Sequence, residues 1–285
     1  MFLRKLPLAV LACAPISPLT AQSRTVADAS APPSVVTITA GDYYFAVPGP
    51  VRAGPVTLRL VNHGRELHMM GVATLGKWTL AQLVEAFQAG KQLDGVAGIG
   101  GPNGVAPGDT SVATLMLAPG HYAIACFVES PDGTMHVAKG MLGQLDVVAT
   151  PGPAVPEPVA DAAIELRDYA IALSGPVAPG RRTFRVENHG PNTHDVQLFR
   201  LAPRASMADV DAWLTHPESG SPRARPLGGV VGFAPGKHSW FTAQMTPGDY
   251  LLVCWIPGEG GKPHYAGHGM LRRFHVGSSV AATGK

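Results

Sequence analysis

One pattern runs through this sequence twice. Asn62-His63-Gly64 followed by His68 returns as Asn188-His189-Gly190 followed by His194, with the same five-position step between the histidines. Gly104-Val105-Ala106-Pro107-Gly108 returns as Gly232-Phe233-Ala234-Pro235-Gly236, and Pro119-Gly120-His121-Tyr122 as Pro247-Gly248-Asp249-Tyr250. Cys126 and Cys254 follow, each ten positions ahead of a histidine, His136 or His264, and Gly140-Met141 and Gly269-Met270 close the two copies. Agreement in order and spacing over more than a hundred residues marks an internal duplication, so the chain is expected to fold as two like units.

Residues 150–160 are dominated by proline and small side chains, a composition that stays stiff and extended and suits a linker. They divide the chain into a first domain at 32–149 and a second at 161–278. With 34 glycines, 27 prolines and only 15% charged residues, the composition favours short strands joined by turns over long helices. Residues 56–61 and 183–187 alternate polar and apolar side chains as half-buried strands do, and the apolar runs ending at Cys126 and Cys254 follow Pro-Gly turns. One helix is expected in each copy. Thr79 with Gln82 forms a capping box ahead of the stripe Leu80, Leu83, Val84 and Phe87, and Ser206 with Asp209 repeats the device more weakly. The expectation is an all-β fold of two β-sandwiches, each with a short helical insertion.

The N-terminus reads as an export signal: Arg4-Lys5, an apolar run, then small residues up to a cleavage point after Ala21. An alternative is a lipoprotein signal with a lipid anchor at Cys13. Either way the product is exported, periplasmic or extracellular, and no later apolar stretch is long enough to predict a transmembrane segment. Removing residues 1–21 takes Arg4 and Lys5 from the 22 basic residues, leaving 20 against 20 acidic ones. A balanced charge without basic clusters predicts no nucleic-acid partner.

Cys126 and Cys254 hold equivalent positions in the two copies, which disfavours a disulfide between them. A thiolate, two imidazoles and a weak thioether are the donor set of a mononuclear copper centre that cycles between Cu(I) and Cu(II). His68, Cys126, His136 and Met141 supply that set in the first copy, and His194, Cys254, His264 and Met270 in the second. The competing reading is a metal-free sandwich in which these residues serve packing and loop hydrogen bonds. His63 and His189 read as turn residues. Met69, Met70 and Met135 read as packing or surface residues before a copper-entry patch, and Trp78, Trp213, Trp240 and Trp255 as packing residues.

Each copy resembles the cupredoxin family of plastocyanin-like and azurin-like blue copper domains. The motif that carries the resemblance is a histidine after an Asn-x-Gly turn, then Pro-Gly-x-Tyr-x-x-x-Cys, a loop histidine and Gly-Met. The resemblance implies a Greek-key sandwich and one type 1 copper per domain. The sequence departs from it in three ways. Nine residues separate Cys from the loop histidine, a long interval; Met270 follows His264 by six positions where Met141 follows His136 by five; and the residue after the first histidine is Met69 or Asp195. The extra stretch holds His268, an alternative ligand at the second site. The copper oxidases and nitrite reductases of the family bind further copper through His-x-His pairs and histidines flanking the cysteine, and neither is present. The expected function is therefore electron transfer with redox partner proteins more than enzyme catalysis. The alternatives are copper storage or trafficking with copper donors and acceptors, and a metal-free interaction module. His136 and His264, in glycine-rich segments, are expected near the surface.

Overall fold

A computed structural model of the chain describes residues 34–149, 155–215 and 223–278, all within one compact unit, Ala31–Lys285. The signal segment, Cys13 and residues 150–154 of the linker lie outside the described residues. Among those described, no helix is long and apolar enough to cross a membrane.

The fold is all-β, as expected. Its first half comprises β1 (Ser34–Gly41), β2 (Tyr44–Ala46), β3 (Val51–Arg52), β4 (Gly54–Asn62), β5 (Gly71–Thr74), α1 (Leu80–Gln88), β6 (Gly98–Gly100), β7 (Thr110–Leu117), β8 (Gly120–Ala125) and β9 (Leu142–Val148). The second half comprises β10 (Ala162–Arg167), β11 (Ala170–Leu173), β12 (Gly180–Asn188), β13 (His194–Leu201), α2 (Met207–Thr215), β14 (Ala224–Phe233), β15 (His238–Met245), β16 (Gly248–Val253), α3 (His264–His268) and β17 (Leu271–Val276). The capping box at Thr79 and Gln82 opens α1, and Ser206 and Asp209 bond reciprocally ahead of α2. The short α3, unforeseen in the sequence, carries the second loop histidine.

The halves repeat one pairing scheme. β1 pairs antiparallel with β2 and parallel with β4, just as β10 pairs with β11 and β12. In each half two sheets enclose an apolar core. Ile38, Leu58, Leu60, Leu115 and Ile124 fill the first; Ile164, Leu166, Phe184, Phe241 and Leu252 fill the second. Phe184 and Phe241, in register on β12 and β15, stack with centroids 4.8 Å apart at 14°, an arrangement worth about 1 kcal/mol beyond the area buried.

The sheets do not stop where one half ends. One runs β11-β10-β12-β15-β7-β4-β1-β2, the other β17-β16-β13-β14-β6-β5-β8-β9-β3. Apart from β3, each order reads as a palindrome about the junction. Ala113 pairs with Phe241, its own counterpart in the repeat, and Pro102 bridges Val230, also its counterpart, so the halves meet about a pseudo-twofold axis. The physical reason is edge satisfaction: β6, β7, β14 and β15 would each end a sheet with unpaired backbone groups, and joining them removes those edges. Buried amides lock the register. Asn103 Nδ2 donates to the carbonyls of Val196 and Val230 at 3.1 and 3.3 Å, and Gln197 Nε2 donates to those of Gly104 and Gly228 at 3.2 and 2.8 Å. Gly101 and Gly229, at φ +130° and +140°, let the chain pass against the carbonyls of Met70 and Val196, where a Cβ would collide.

Candidate metal centres

At one end of each sandwich three ligand-type side chains converge. His68, Cys126 and His136 have donor atoms within 4.8 Å of one another, as do His194, Cys254 and His264. Five of the six are 0% exposed and His264 only 3%. Different parts of the fold deliver them: His68 comes from the link between β4 and β5, Cys126 from the end of β8, and His136 from the loop before β9. The loop is closed by its backbone, because the Cys126 N–H donates to the Met141 carbonyl at 3.1 Å and the Met141 N–H to the His136 carbonyl at 2.9 Å. The second copy repeats both bonds between Cys254, Met270 and His264, at 3.1 and 3.2 Å. Met141 and Met270 are fully buried in the same cores as their cysteines.

The rings face the sulfur through Nδ1. His136 Nδ1 lies 3.4 Å from Cys126 Sγ and 3.1 Å from His68 Nδ1; Cys254 Sγ lies 3.8 and 3.5 Å from Nδ1 of His194 and His264. A first-row metal bound by nitrogen and sulfur at about 2.0–2.3 Å spaces its ligand atoms about 3.3–3.8 Å apart. The donor sets fit such an ion.

The far nitrogens supply the stronger argument. His68 Nε2 lies 3.3 Å from the Asp42 carboxylate and His136 Nε2 2.9 Å from that of Glu66, while His194 Nε2 bonds to Asp168. Burial would raise the Glu66 carboxyl, but hydrogen bonds from His136, Tyr43 and Ser130 outweigh it and hold it below the usual range; His194 and Asn192 do the same for Asp168. A carboxylate takes an N–H, so it fixes the tautomer that leaves the Nδ1 lone pair free. Burial and the neighbouring His136 hold His68 below its ordinary value, so its imidazole stays neutral. With the Nε2 protons turned to the carboxylates, the two Nδ1 atoms, 3.1 Å apart, face the space a cation would fill.

The Asn-His-Gly turns explain the proximity of carboxylate and ring. The Asn62 side chain accepts from Gly64 N–H at 2.8 Å and donates to the carbonyls of Glu66 and Val105, fixing the turn that presents His68. Asn188 does the same with Gly190, Asn192 and Phe233. A Cβ on Gly64 would meet Asp42 Oδ1 and His68 Nε2, the latter at 2.5 Å, and one on Gly190 would meet Asp168 Oδ1 and His194 Nε2.

The two sites differ where they touch their surroundings. Glu66 has Asn192 as its counterpart, so among the described contacts His264 has no carboxylate at Nε2. Met69 has Asp195, which is 2% exposed; its N–H donates to Cys254 Sγ at 3.5 Å and its carboxylate accepts from Trp255 N–H at 2.7 Å. Burial pushes the Asp195 carboxyl up to about 6 against hydrogen bonds from Trp255, Cys254 and Asn103. Burial pushes the Cys126 thiol up to about 11, and burial together with the Asp195 charge pushes Cys254 higher still.

The sequence placed the loop histidines near the surface, and the structure corrects this. Tyr43 covers His136 edge-on at 5.2 Å and Tyr169 covers His264 at 4.8 Å, shielding both rings. His268 is exposed and stacks flat on Tyr169 at 3.8 Å, apart from the His-Cys-His triad. Cys126 and Cys254 are free thiols in separate cores. Met70 is buried, Met135 is 40% exposed, and Trp255 packs with Phe199 and Tyr265 on the opposite face of its strand from Cys254. Sequence reasoning missed Asp42, Glu66, Asp168 and the two tyrosines. A signal existed for four of these, since Asp42-Tyr43 recurs as Asp168-Tyr169 at the same interval that separates His68 from His194.

No protein-family model matches the chain, and no curated protein matches it significantly. Among solved structures, a dithionite-reduced auracyanin from Roseiflexus castenholzii is 20% identical over 40% of this chain and 97% of its own, at a TM-score of 0.30. Auracyanin A, a "blue" copper protein from Chloroflexus aurantiacus, is 21% identical over 41% of this chain and 99% of its own, at 0.31. A copper-containing nitrite reductase from Thermus scotoductus is 14% identical over 86% of this chain and 62% of its own, at 0.25.

Proposed function

We propose that this chain is an exported electron-transfer protein built from two cupredoxin-like domains, each holding one type 1 copper. The observation that carries the reading is the pair of buried His-Cys-His triads whose rings turn Nδ1 toward the sulfur. Copper bound there supplies a one-electron couple. The protein's own part is to keep the donors in place through both oxidation states. Carboxylates hold three of the rings, backbone bonds close each ligand loop, and Met141 and Met270 stand as the thioether donors.

Burial favours a carrier over a store. A copper store or shuttle hands its ion over by ligand exchange, which needs access, whereas an electron crosses a closed protein surface. His68, Cys126 and His136 are all 0% exposed. Catalysis of the oxidase or nitrite reductase kind is disfavoured because Ala125 and Phe127 flank Cys126, Val253 and Trp255 flank Cys254, and no His-x-His pair occurs. The partners are redox proteins that give and take single electrons.

The test is to load purified protein with Cu(II) and record visible and paramagnetic spectra with copper stoichiometry. Two ions and an intense thiolate-to-copper band are expected, and Cys126→Ser should remove one domain's contribution while sparing the other. Copper uptake without that band refutes a type 1 site.

A further inference from the structure

Among the described residues, Asp195 is a buried carboxyl residue whose backbone reaches a cysteine sulfur of the second site. It is 2% exposed, its own N–H reaches Cys254 Sγ at 3.5 Å, and its carboxylate bonds to the N–H of Trp255, the residue after that cysteine. Asn103, from the first half, is a further polar neighbour whose influence lowers the Asp195 carboxyl against its burial. The first site keeps the backbone half of this arrangement, with the Met69 N–H 3.4 Å from Cys126 Sγ, but has a thioether in place of the carboxylate. Asn103 likewise has an apolar counterpart, Val231.

We propose that Asp195 is a positioning residue that lowers the reduction potential of the second copper site below that of the first, so that a single electron delivered by a redox partner rests on the first site. The inference depends on both sites holding copper. A fixed negative charge beside the metal stabilises the oxidised ion over the reduced one, and charge and hydrogen bonds at the ligand sulfur are among the strongest levers on such a potential. The rival charge is Glu66 at the first site, and distance and screening decide between them. Glu66 has a side chain 25% exposed and acts through the full width of the His136 ring, whereas Asp195 is 2% exposed and its carboxylate accepts from the backbone N–H of the residue that follows Cys254. Coulomb energy scales as 1/(εr), and both factors favour Asp195.

The test is spectroelectrochemical titration of the charge-transfer band in the copper-loaded full chain, using Cys126→Ser to isolate the second site and Cys254→Ser to isolate the first. The second site is expected to have the lower potential. Asp195→Asn, which keeps the shape and removes the charge, should raise it by at least tenfold in the electron-transfer equilibrium, about 59 mV for one electron, and leave the first site unchanged. Asp195→Ser is a second neutral variant and should shift in the same direction. The proposal is overturned if the wild-type second site is not the lower one, if the neutral variants leave its potential in place, or if neither variant holds copper there, which would make Asp195 a structural residue. A wild-type protein that binds copper without the band overturns the type 1 reading and this inference together; a wild-type band with unmoved variants overturns this inference alone.

Discussion

Replacing Glu66 tests whether the outer carboxylates, and not the ligands alone, make these triads into metal sites. The Glu66 carboxylate meets His136 Nε2 at 2.9 Å and accepts from the Tyr43 hydroxyl at 2.8 Å, so it is held while it holds the ring. A charge about 7 Å from a singly charged metal–thiolate centre, at an effective dielectric near 20, contributes about 2.4 kcal/mol. Loss of such a partner ordinarily weakens metal binding 10- to 100-fold, about 1.4–2.7 kcal/mol, which agrees. Glu66→Gln can keep a hydrogen bond to Nε2 and loses only the charge, partly screened at 25% exposure, so about tenfold is expected. Glu66→Ala loses both and should approach a hundredfold. Copper competition against a chelator, in the Cys254→Ser background so that only the first site reports, reads these values. The same substitutions in the Cys126→Ser background should leave the second site's affinity unaltered, since its counterpart residue is Asn192. A Glu66→Ala protein that binds copper within twofold of wild type would refute the argument.

Four further outcomes follow from the same geometry. Gly64→Ala places a Cβ against Asp42 and His68 Nε2, so it should weaken or abolish the first site's copper band while the second persists, as read by the spectrum in a Cys254→Ser or Cys126→Ser background. Phe241→Ala opens a cavity in the stacked pair beside the junction and should cost about 3–5 kcal/mol in urea unfolding. Because the sheets are continuous across the halves, that loss should appear in one cooperative transition, and two separated transitions would argue against the shared sheets. Burial holds His68 and His264 below the ordinary 6.5, so in the metal-free fold they stay neutral where unfolded imidazoles take up protons. Their contribution to metal-free stability is therefore present above 6.5 and declines as pH falls below it, measurable by denaturant titration at a series of pH values. Protons also compete with the metal for the imidazoles, so the copper band should bleach reversibly on acidification below that range, with far-UV circular dichroism unchanged.

The two His-Cys-His triads were legible because duplication supplies its own control: a histidine, a cysteine and a second histidine ten positions on, found twice, stand out from chance spacing. The strands were legible from alternation at 56–61 and 183–187, and α1 from the reciprocal bonds of Thr79 and Gln82. Other features depended on tertiary contact. Which edge strands meet at the junction is set by unpaired backbone, which leaves no side-chain signature, so the palindromic order of the sheets could not be read. The burial of His136 and His264 depends on Tyr43 and Tyr169, which arrive from turns far away in sequence. Tyr43 even adopts a left-handed backbone, φ 71°, to bring its ring over His136, a conformation that nothing in its local sequence announces. The helix carrying His264 was missed because His264-Tyr265-Ala266-Gly267-His268 has no apolar stripe and contains a helix-weakening glycine.

The pseudo-twofold junction bears on why two such sites share one chain. Copper exchange would favour separate, opening domains, but here both sheets cross between the halves and buried amides of Asn103 and Gln197 fix their register. Rigidity of that kind suits electron transfer, because donors that need not move when the charge changes lower the reorganisation the protein must undergo. Symmetry alone would also make the two sites equal, and equal sites give an electron no direction. Three of the substitutions that break the repeat fall around the triads: Glu66 against Asn192, Met69 against Asp195, and the longer His264–Met270 interval. On the proposed reading, a framework common to both halves would hold the two triads alike while Glu66 and Asp195 give the two sulfurs different surroundings, and that difference would give an electron a direction.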